Sequence, residues 1–105
     1  MADTYNTTEV SEELLNAARL AVRRTRPSIF DGEIKDLIFA ARKELTEIGV
    51  LPVKAYDDSD PLIRRACIVY VKAEFGLDNP EAERYRASFD SLKYHLSLSS
   101  EYVGG

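Results

Sequence analysis

Apolar residues recur at spacings of three and four along most of the chain, which is the period of a helix with one buried face. The first such segment follows Ser11 and stops before Pro27. Serine accepts hydrogen bonds from a helix N-terminus, and proline disfavours helical backbone at the residue before it, so these two positions predict the ends of a first helix. Its apolar face consists of Leu14, Leu15, Ala18 and Val22.

A second helix is predicted to begin at Asp31, whose carboxylate suits the N-cap position, and to end at Gly49, because glycine readily takes a left-handed conformation. Its apolar stripe consists of Ile34, Leu37, Ile38, Ala41, Leu45 and Ile48. The next ten residues, Val50 to Ser59, include Pro52 and two aspartates, and we predict a loop there that contains at most a short extended piece. Helical connections are usually shorter, which suggests that this loop packs on a neighbouring surface or has a function.

The third helix has the clearest ends. Asp60 is a good N-cap, Pro61 suits the first helical position, and Gly76 follows the last apolar residue. Because apolar residues occupy nearly every side of this helix, we predict that it lies at the centre of the fold. They are Leu62, Ile63, Ala66, Cys67, Ile68, Val69, Tyr70, Val71, Ala73 and Phe75.

A fourth helix is predicted to start at Asn79 and Pro80, again a cap followed by proline. Its stripe consists of Ala82, Tyr85, Phe89, Leu92 and Leu96. The remainder, from Ser97 to Gly105, is predicted to be a fraying helix end and a short polar tail. We therefore predict an all-α fold, a compact bundle of about four helices that forms one domain over residues 1–105, with mobile tails at residues 1–9 and 99–105.

Composition supports a folded domain and limits its class. Hydrophobic residues make up 45% of the chain and charged residues 30%, which is typical of globular proteins. A formal net charge of -4 argues against a general nucleic-acid binder, because such proteins usually carry a basic surface. No apolar run approaches the roughly 20 residues that span a bilayer, and the first ten residues lack the pattern of a secretory signal. We expect no membrane association, and function in the cytoplasm or in a particle assembled there.

Candidate catalytic chemistry is sparse. His95 is the only histidine, and no motif supplies a nucleophile for it. Cys67 is the only cysteine and lies in an apolar stretch, so neither a disulfide framework within the chain nor a cysteine cluster for zinc is expected. We predict that the protein is not an enzyme and has no cofactor.

The oxygen-rich run from Asp57 to Asp60 suggests calcium at first sight. A calcium-binding EF-hand loop requires glycine at its sixth position and glutamate at its twelfth, but the corresponding residues here are Leu62 and Ile68. Helix capping and a solvated turn explain the run better, so no metal site is predicted.

Two surfaces are candidates for contact with other subunits. The first is the densest basic segment of the chain, whose arginines are Arg19, Arg23, Arg24 and Arg26. These arginines suit a solvated helix end, an acidic protein partner or, as an alternative function, a small helical DNA-binding regulator. The second surface is formed by Tyr94 and Leu98, which lie off the buried stripe of the fourth helix.

Three segments in a fixed order carry a further indication. They are Asp31–Ile38 with Ala40–Arg42, then Asp60–Ile63 leading to Tyr70–Lys72 and Phe75–Gly76, then Asp78–Arg84 with Leu92–Lys93 through Leu96–Ser97. In this order and at these spacings they resemble phage head–tail connector proteins, the small helical adaptors that dock beneath the portal. The resemblance covers roughly Val10 to Tyr102.

The resemblance implies a structural subunit of a closed ring, twelve-fold to match the portal, at the head–tail interface of a virion. Such a ring extends the channel through which DNA passes without specific binding, and it offers a platform for a stopper or tail-completion protein. In this family the C-terminal segment commonly reaches towards the portal. That gives a docking role to Ser99, Ser100, Glu101 and Tyr102.

Overall fold

The computed structural model describes residues 9–22, 27–76 and 79–104, and all regular secondary structure within these ranges is helical. The elements are α1 (Glu12–Ala21), α2 (Pro27–Glu47), α3 (Pro52–Ala55), α4 (Pro61–Glu74), α5 (Ala82–Ser97) and α6 (Ser100–Val103). The predicted all-α fold is confirmed. The four long helices correspond to the four predicted ones, and α3 and α6 are additional short helices.

The start of α1 agrees with prediction, but the start of α2 does not. Ser11 caps α1, since its Oγ accepts a hydrogen bond from the backbone N–H of Leu14 at 3.1 Å. Helix α2 begins at Pro27, one turn before the predicted cap Asp31. The fixed backbone angle of proline suits the first position of a helix, so Pro27 opens the second helix. Asp31 lies inside α2, where its carboxylate forms an ion pair with Arg19.

The segment between α2 and α4 is more ordered than the predicted loop. Gly49 ends α2 with a positive φ of 107°, as expected. Pro52 then begins the four-residue helix α3, and Ala55 on this helix is fully buried. The predicted ten-residue loop therefore contains a short helix that was not predicted, because a proline that breaks one helix also serves as the first residue of the next.

Helix α4 is central, as predicted, and it packs against α1, α2 and α5. Asp60 caps it by accepting hydrogen bonds from the N–H groups of Leu62 and Ile63 at 2.9 and 3.2 Å. Its buried face consists of Ile63, Ala66, Cys67, Tyr70, Val71 and Ala73. These residues form the middle of the core, into which the other long helices direct their apolar stripes.

Helix α5 starts slightly later than predicted. Asn79 is the anchor of the preceding turn: its Oδ1 accepts from the N–H of Glu81 at 3.1 Å, and its Nδ2 donates to the carbonyl of Lys72 at 2.6 Å. The turn is thereby fastened to the end of α4. Phe89 is fully buried on α5 and meets the ring of Tyr70 edge-on, with centroids 4.9 Å apart.

The C-terminal residues differ most from prediction. In place of a mobile tail from residue 99, residues Ser100–Val103 form α6. Tyr102 is only 5% exposed, and its hydroxyl donates to the Asp60 carboxylate, 3.0 Å from either oxygen. Its carbonyl accepts from the N–H of Leu51 at 2.9 Å. The C-terminus is therefore packed against the beginnings of α3 and α4. Of the predicted N-terminal tail, residues 1–8 lie outside the described residues.

Candidate functional site

The acidic run between α3 and α4 is a structural junction. Asp57 accepts hydrogen bonds from the Oγ and N–H of Ser59 at 2.6 and 3.0 Å, and these bonds lower the pKa of its carboxyl group. Asp58 accepts from the N–H of Ser11 at 2.8 Å, which ties the start of α1 to this turn. With Asp60 engaged as the α4 cap, each carboxylate of the run binds donors of the chain itself.

Arg42 is the central cation of this junction and is only 2% exposed. Its Nη2 donates to Asp58 and its Nη1 to the carbonyl of Glu9, both at 2.8 Å. Its guanidinium also lies 5.0 Å from the ring centroid of Tyr56, within the range of a cation–π contact. Sequence reasoning missed this role. The available signal was position, because Arg42 follows Ile38 by one turn and therefore borders the buried stripe of α2.

The predicted basic segment is only partly described. Arg19 donates from Nε and Nη2 to the two carboxylate oxygens of Asp31 at 2.9 and 2.7 Å. This bidentate pair lowers the pKa of Asp31, with the hydrogen bond from Arg19 as the main cause. The charge of Arg19 is therefore engaged within the chain, where it joins α1 to α2. Arg23, Arg24 and Arg26 lie outside the described residues.

The second predicted surface is exposed. Tyr94 and Leu98 are 67% and 68% exposed on the outer side of α5. Ser100 and Glu101 on α6 are also exposed, and Ser99 is half-buried. Tyr102 is buried and holds this end in place from inside. Of the four predicted portal-contact residues, two are therefore exposed, Ser99 is half-buried and Tyr102 is a structural anchor.

A basic groove of about 630 Å³ lies along the outward face of α4 and the start of α5. Arg64, Arg65 and Lys72 line it, and in the described part of the chain none of them forms an ion pair. The groove also contains apolar surface from Ile68 and Val69. Sequence reasoning treated α4 only as a core helix and missed this face, although the spacing of its cations at helical intervals was visible.

A cluster of ion pairs fixes α5 against its neighbours. Arg86 contacts Glu74 on α4 at 3.0 Å and Glu44 on α2 at 3.3 Å. Lys93, two turns further along α5, contacts Glu44 at 3.0 Å. Because these side chains remain partly exposed, the cluster orients the helices without a large desolvation cost.

The two residues considered for catalysis or metal binding, His95 and Cys67, differ in exposure. His95 is exposed on α5. Cys67 is fully buried, which raises the pKa of its thiol to about 12, so the reactive thiolate is scarce near neutral pH. Within residues 9–22, 27–76 and 79–104, no group of three or more His, Cys, Asp or Glu residues is placed to hold a metal ion. The same ranges contain no helix long and apolar enough to cross a membrane.

Comparison with known proteins agrees with the resemblance seen in the sequence. The family described as phage connector protein matches residues 14–103, which include every helix from the buried part of α1 to α6. No curated protein and no solved structure gives a significant match. The family match covers most of the chain, and its helical residues are those that build the core. The chain therefore belongs to the phage connector protein family.

Proposed function

We propose that this chain is a structural subunit of a closed ring, with twelve copies matching a portal, at the head–tail interface of a phage particle. The ring docks on the portal, extends the DNA channel and carries the stopper or tail-completion protein that follows. Family membership supports a structural role in a virion. The proposal includes assembly in the host cytoplasm and no catalytic step.

The observation that carries the proposal is the rigid, partly apolar C-terminal end. Tyr94 and Leu98 expose large apolar surfaces there, and such surfaces favour burial against a neighbour. The end is rigid because Tyr102 is bonded to two other elements, so little conformational entropy is lost when a partner binds. In the proposal, Ser99, Ser100 and Glu101 face the portal, and Tyr94 and Leu98 pack on an adjacent subunit or on the portal itself.

The net charge of -4 suits a ring around moving DNA. Like charge on a channel wall disfavours binding of the phosphate backbone, so DNA can pass without being held. The alternative of a DNA-binding regulator depends on Arg19 to Arg26, and Arg19 is already neutralised by Asp31.

The test is binding of the purified chain to its cognate portal, followed by light scattering and negative-stain imaging. The full chain should form a ring on the portal. Tyr94→Ser with Leu98→Ser should weaken ring formation at least about tenfold, and Glu101→Lys should weaken portal binding. Glu13→Ala is the matched control, because Glu13 is exposed on α1 and belongs to neither proposed contact surface.

A chain that stays monomeric at high concentration and does not bind the portal would contradict the proposal. A salt-sensitive shift of duplex DNA by the chain would instead favour the regulator. Circular dichroism and thermal unfolding of each variant separate loss of binding from loss of fold.

A further inference from the structure

The outward face of α4 carries basic side chains, and Ile68 and Val69 form the apolar floor of the same groove. Arg64, Arg65 and Lys72 lie on the side of the helix opposite the buried residues Ala66 and Tyr70. Lys72 Nζ lies 4.5 Å from the ring centroid of Tyr85 on α5, which keeps this side chain at the groove. The groove therefore carries three cations without ion-pair partners in the described part of the chain, although the whole chain has a net negative charge.

The outward face of α2 has the opposite character. Glu33 and Asp36 are exposed on it, and neither forms an ion pair with another described residue. Ile29, one turn before Glu33, is 62% exposed and adds apolar surface at the same face. This face is thus acidic and partly apolar, which complements the groove in both charge and hydrophobicity.

Both faces point away from the core that α2 and α4 share. Helices α2 and α4 pack together, and each directs its buried stripe inwards: Ile34 and Ile38 on α2, and Ile63 and Ala66 on α4. When one face of a helix packs on the core, its opposite face points away from the core. The basic groove and the acidic face therefore both face outwards, and no ion pair joins them within the described part of the chain.

We infer that the basic groove along α4 of one copy receives the acidic outer face of α2 from the next copy. A contact between two different faces of the same chain is heterologous, and it closes into a ring when the rotation between copies allows it. Arg64, Arg65 and Lys72 would then find carboxylate partners, and Ile29 would cover part of the apolar floor. The apolar floor favours a protein surface over a nucleic-acid backbone, which offers phosphates but little apolar area to cover it.

This inference rests on the proposed ring and deepens it by naming a subunit interface that is separate from Tyr94 and Leu98. Its first test is cross-linking of two single-cysteine additions, Arg65→Cys and Asp36→Cys, by a short bis-maleimide reagent. The native Cys67 is fully buried, so it should not react. The two variants are treated alone and as an equal mixture, both in isolation at high concentration and bound to the portal.

A heterologous contact predicts a cross-linked pair in the mixture and none in either variant alone. Cross-linking of Arg65→Cys with itself would overturn the inference, because it requires two copies of the same face to meet. A portal-bound ring without the mixed pair would overturn it while leaving the proposed function intact. A mixed pair from a chain that does not bind the portal would support the interface and contradict the proposed function.

Charge reversal provides the second test. Arg64→Glu with Arg65→Glu should weaken self-association at least about tenfold, because Coulomb attraction across the contact becomes repulsion. Adding Glu33→Lys with Asp36→Lys in the same chain should restore association. Lys43→Glu makes the same kind of charge change on α2, on the acidic side, and should not weaken association. Equal weakening by Lys43→Glu would overturn the inference, since net charge alone would then explain the effect.

Discussion

Two of the groups of ion pairs in this molecule differ in burial. Arg42 and Asp58 form a pair inside the junction of α1, α2 and the acidic turn, with little exposure of either side chain. Arg86 and its partners Glu44 and Glu74 form a cluster whose members remain partly exposed. The first group joins segments far apart in sequence by hydrogen bonds to the backbone, whereas the second orients one helix on its neighbours.

The difference in burial determines what each group contributes to stability. A buried charge that loses its partner cannot be rehydrated. Removing one partner of a buried pair therefore typically lowers the free energy of unfolding by about 3–5 kcal/mol. An exposed pair is screened by water and contributes about 0–1 kcal/mol. The junction should therefore be intolerant of substitution and the cluster tolerant.

The largest expected effect is at the junction. Asp58→Ala removes the charge that faces Arg42 and the acceptor for the N–H of Ser11. We expect a loss of about 3–5 kcal/mol in the free energy of unfolding, measured by urea denaturation. Asp90 is exposed on α5 and lies 3.8 Å from Arg86 and 3.7 Å from Lys93 of the other cluster. Asp90→Ala is the control and should cost less than about 1 kcal/mol. Similar losses for the two variants would remove the distinction drawn between the groups.

The next effect concerns Tyr102, whose hydroxyl bonds to the Asp60 carboxylate. Tyr102→Phe should cost about 1.5 kcal/mol near neutral pH, as expected for a hydrogen bond to a charged group. Burial and the adjacent Asp60 raise the pKa of Tyr102 to about 12. The hydroxyl therefore contributes fully below its ordinary value near 10, and this contribution is lost as pH rises through about 12.

Unfolding of both chains between pH 7 and pH 12 tests this expectation. The difference in stability between wild type and Tyr102→Phe should shrink above pH 10. A difference that stays constant to pH 12 would show that the hydroxyl contributes through packing and not through its proton.

A smaller effect is expected at Glu44, the acidic centre of the partly exposed cluster. Burial acts to raise the pKa of Glu44, but the hydrogen bond from Lys93 and the charge of Arg86 outweigh it, and the pKa is lowered. The carboxylate therefore stabilises the fold above its ordinary pKa, and this contribution is lost as pH falls through the lowered value. Glu44→Gln should cost about 1 kcal/mol at pH 7 and less at pH 3. An equal cost at both values would contradict the assigned role of the charge.

The smallest effect is expected at Lys43, whose ion pair with Glu47 spans 3.9 Å on the exposed side of α2. Lys43→Ala should change the free energy of unfolding by less than about 0.5 kcal/mol, because solvent screens the pair and alanine favours helix. A loss above about 1 kcal/mol in thermal or urea unfolding would mean that this exposed pair contributes to stability as the buried Arg42–Asp58 pair does, against the expectation.

Local signals in the sequence predicted most of the fold. Ser11 and Asp60 were identified as caps because capping is a property of a few adjacent residues. Pro27 misled the prediction because a single proline is compatible with the end of one helix and with the start of the next. The Arg42–Asp58 pair and the Tyr102–Asp60 bond were not predicted, since each joins residues brought together only by tertiary packing.

The candidate surfaces also divide into features that the local sequence predicts and features that depend on tertiary packing. The exposure of Tyr94 and Leu98 followed from their place off the buried stripe of α5. The engagement of Arg19 by Asp31 did not follow, because it depends on how α1 crosses α2. The cations Arg64, Arg65 and Lys72 were visible as a helical stripe. That none of them forms an ion pair within the described part of the chain becomes evident only when the neighbouring side chains are placed.

The anchoring of α6 has a mechanical consequence. Tyr102 is bonded through its carbonyl to Leu51 and through its hydroxyl to Asp60, the residues that precede α3 and α4. A force applied at Glu101 is therefore transmitted to the first turn of α4 without first extending a flexible segment. Helix α6 is therefore rigidly attached, and a load applied to it is passed on to the core of the molecule.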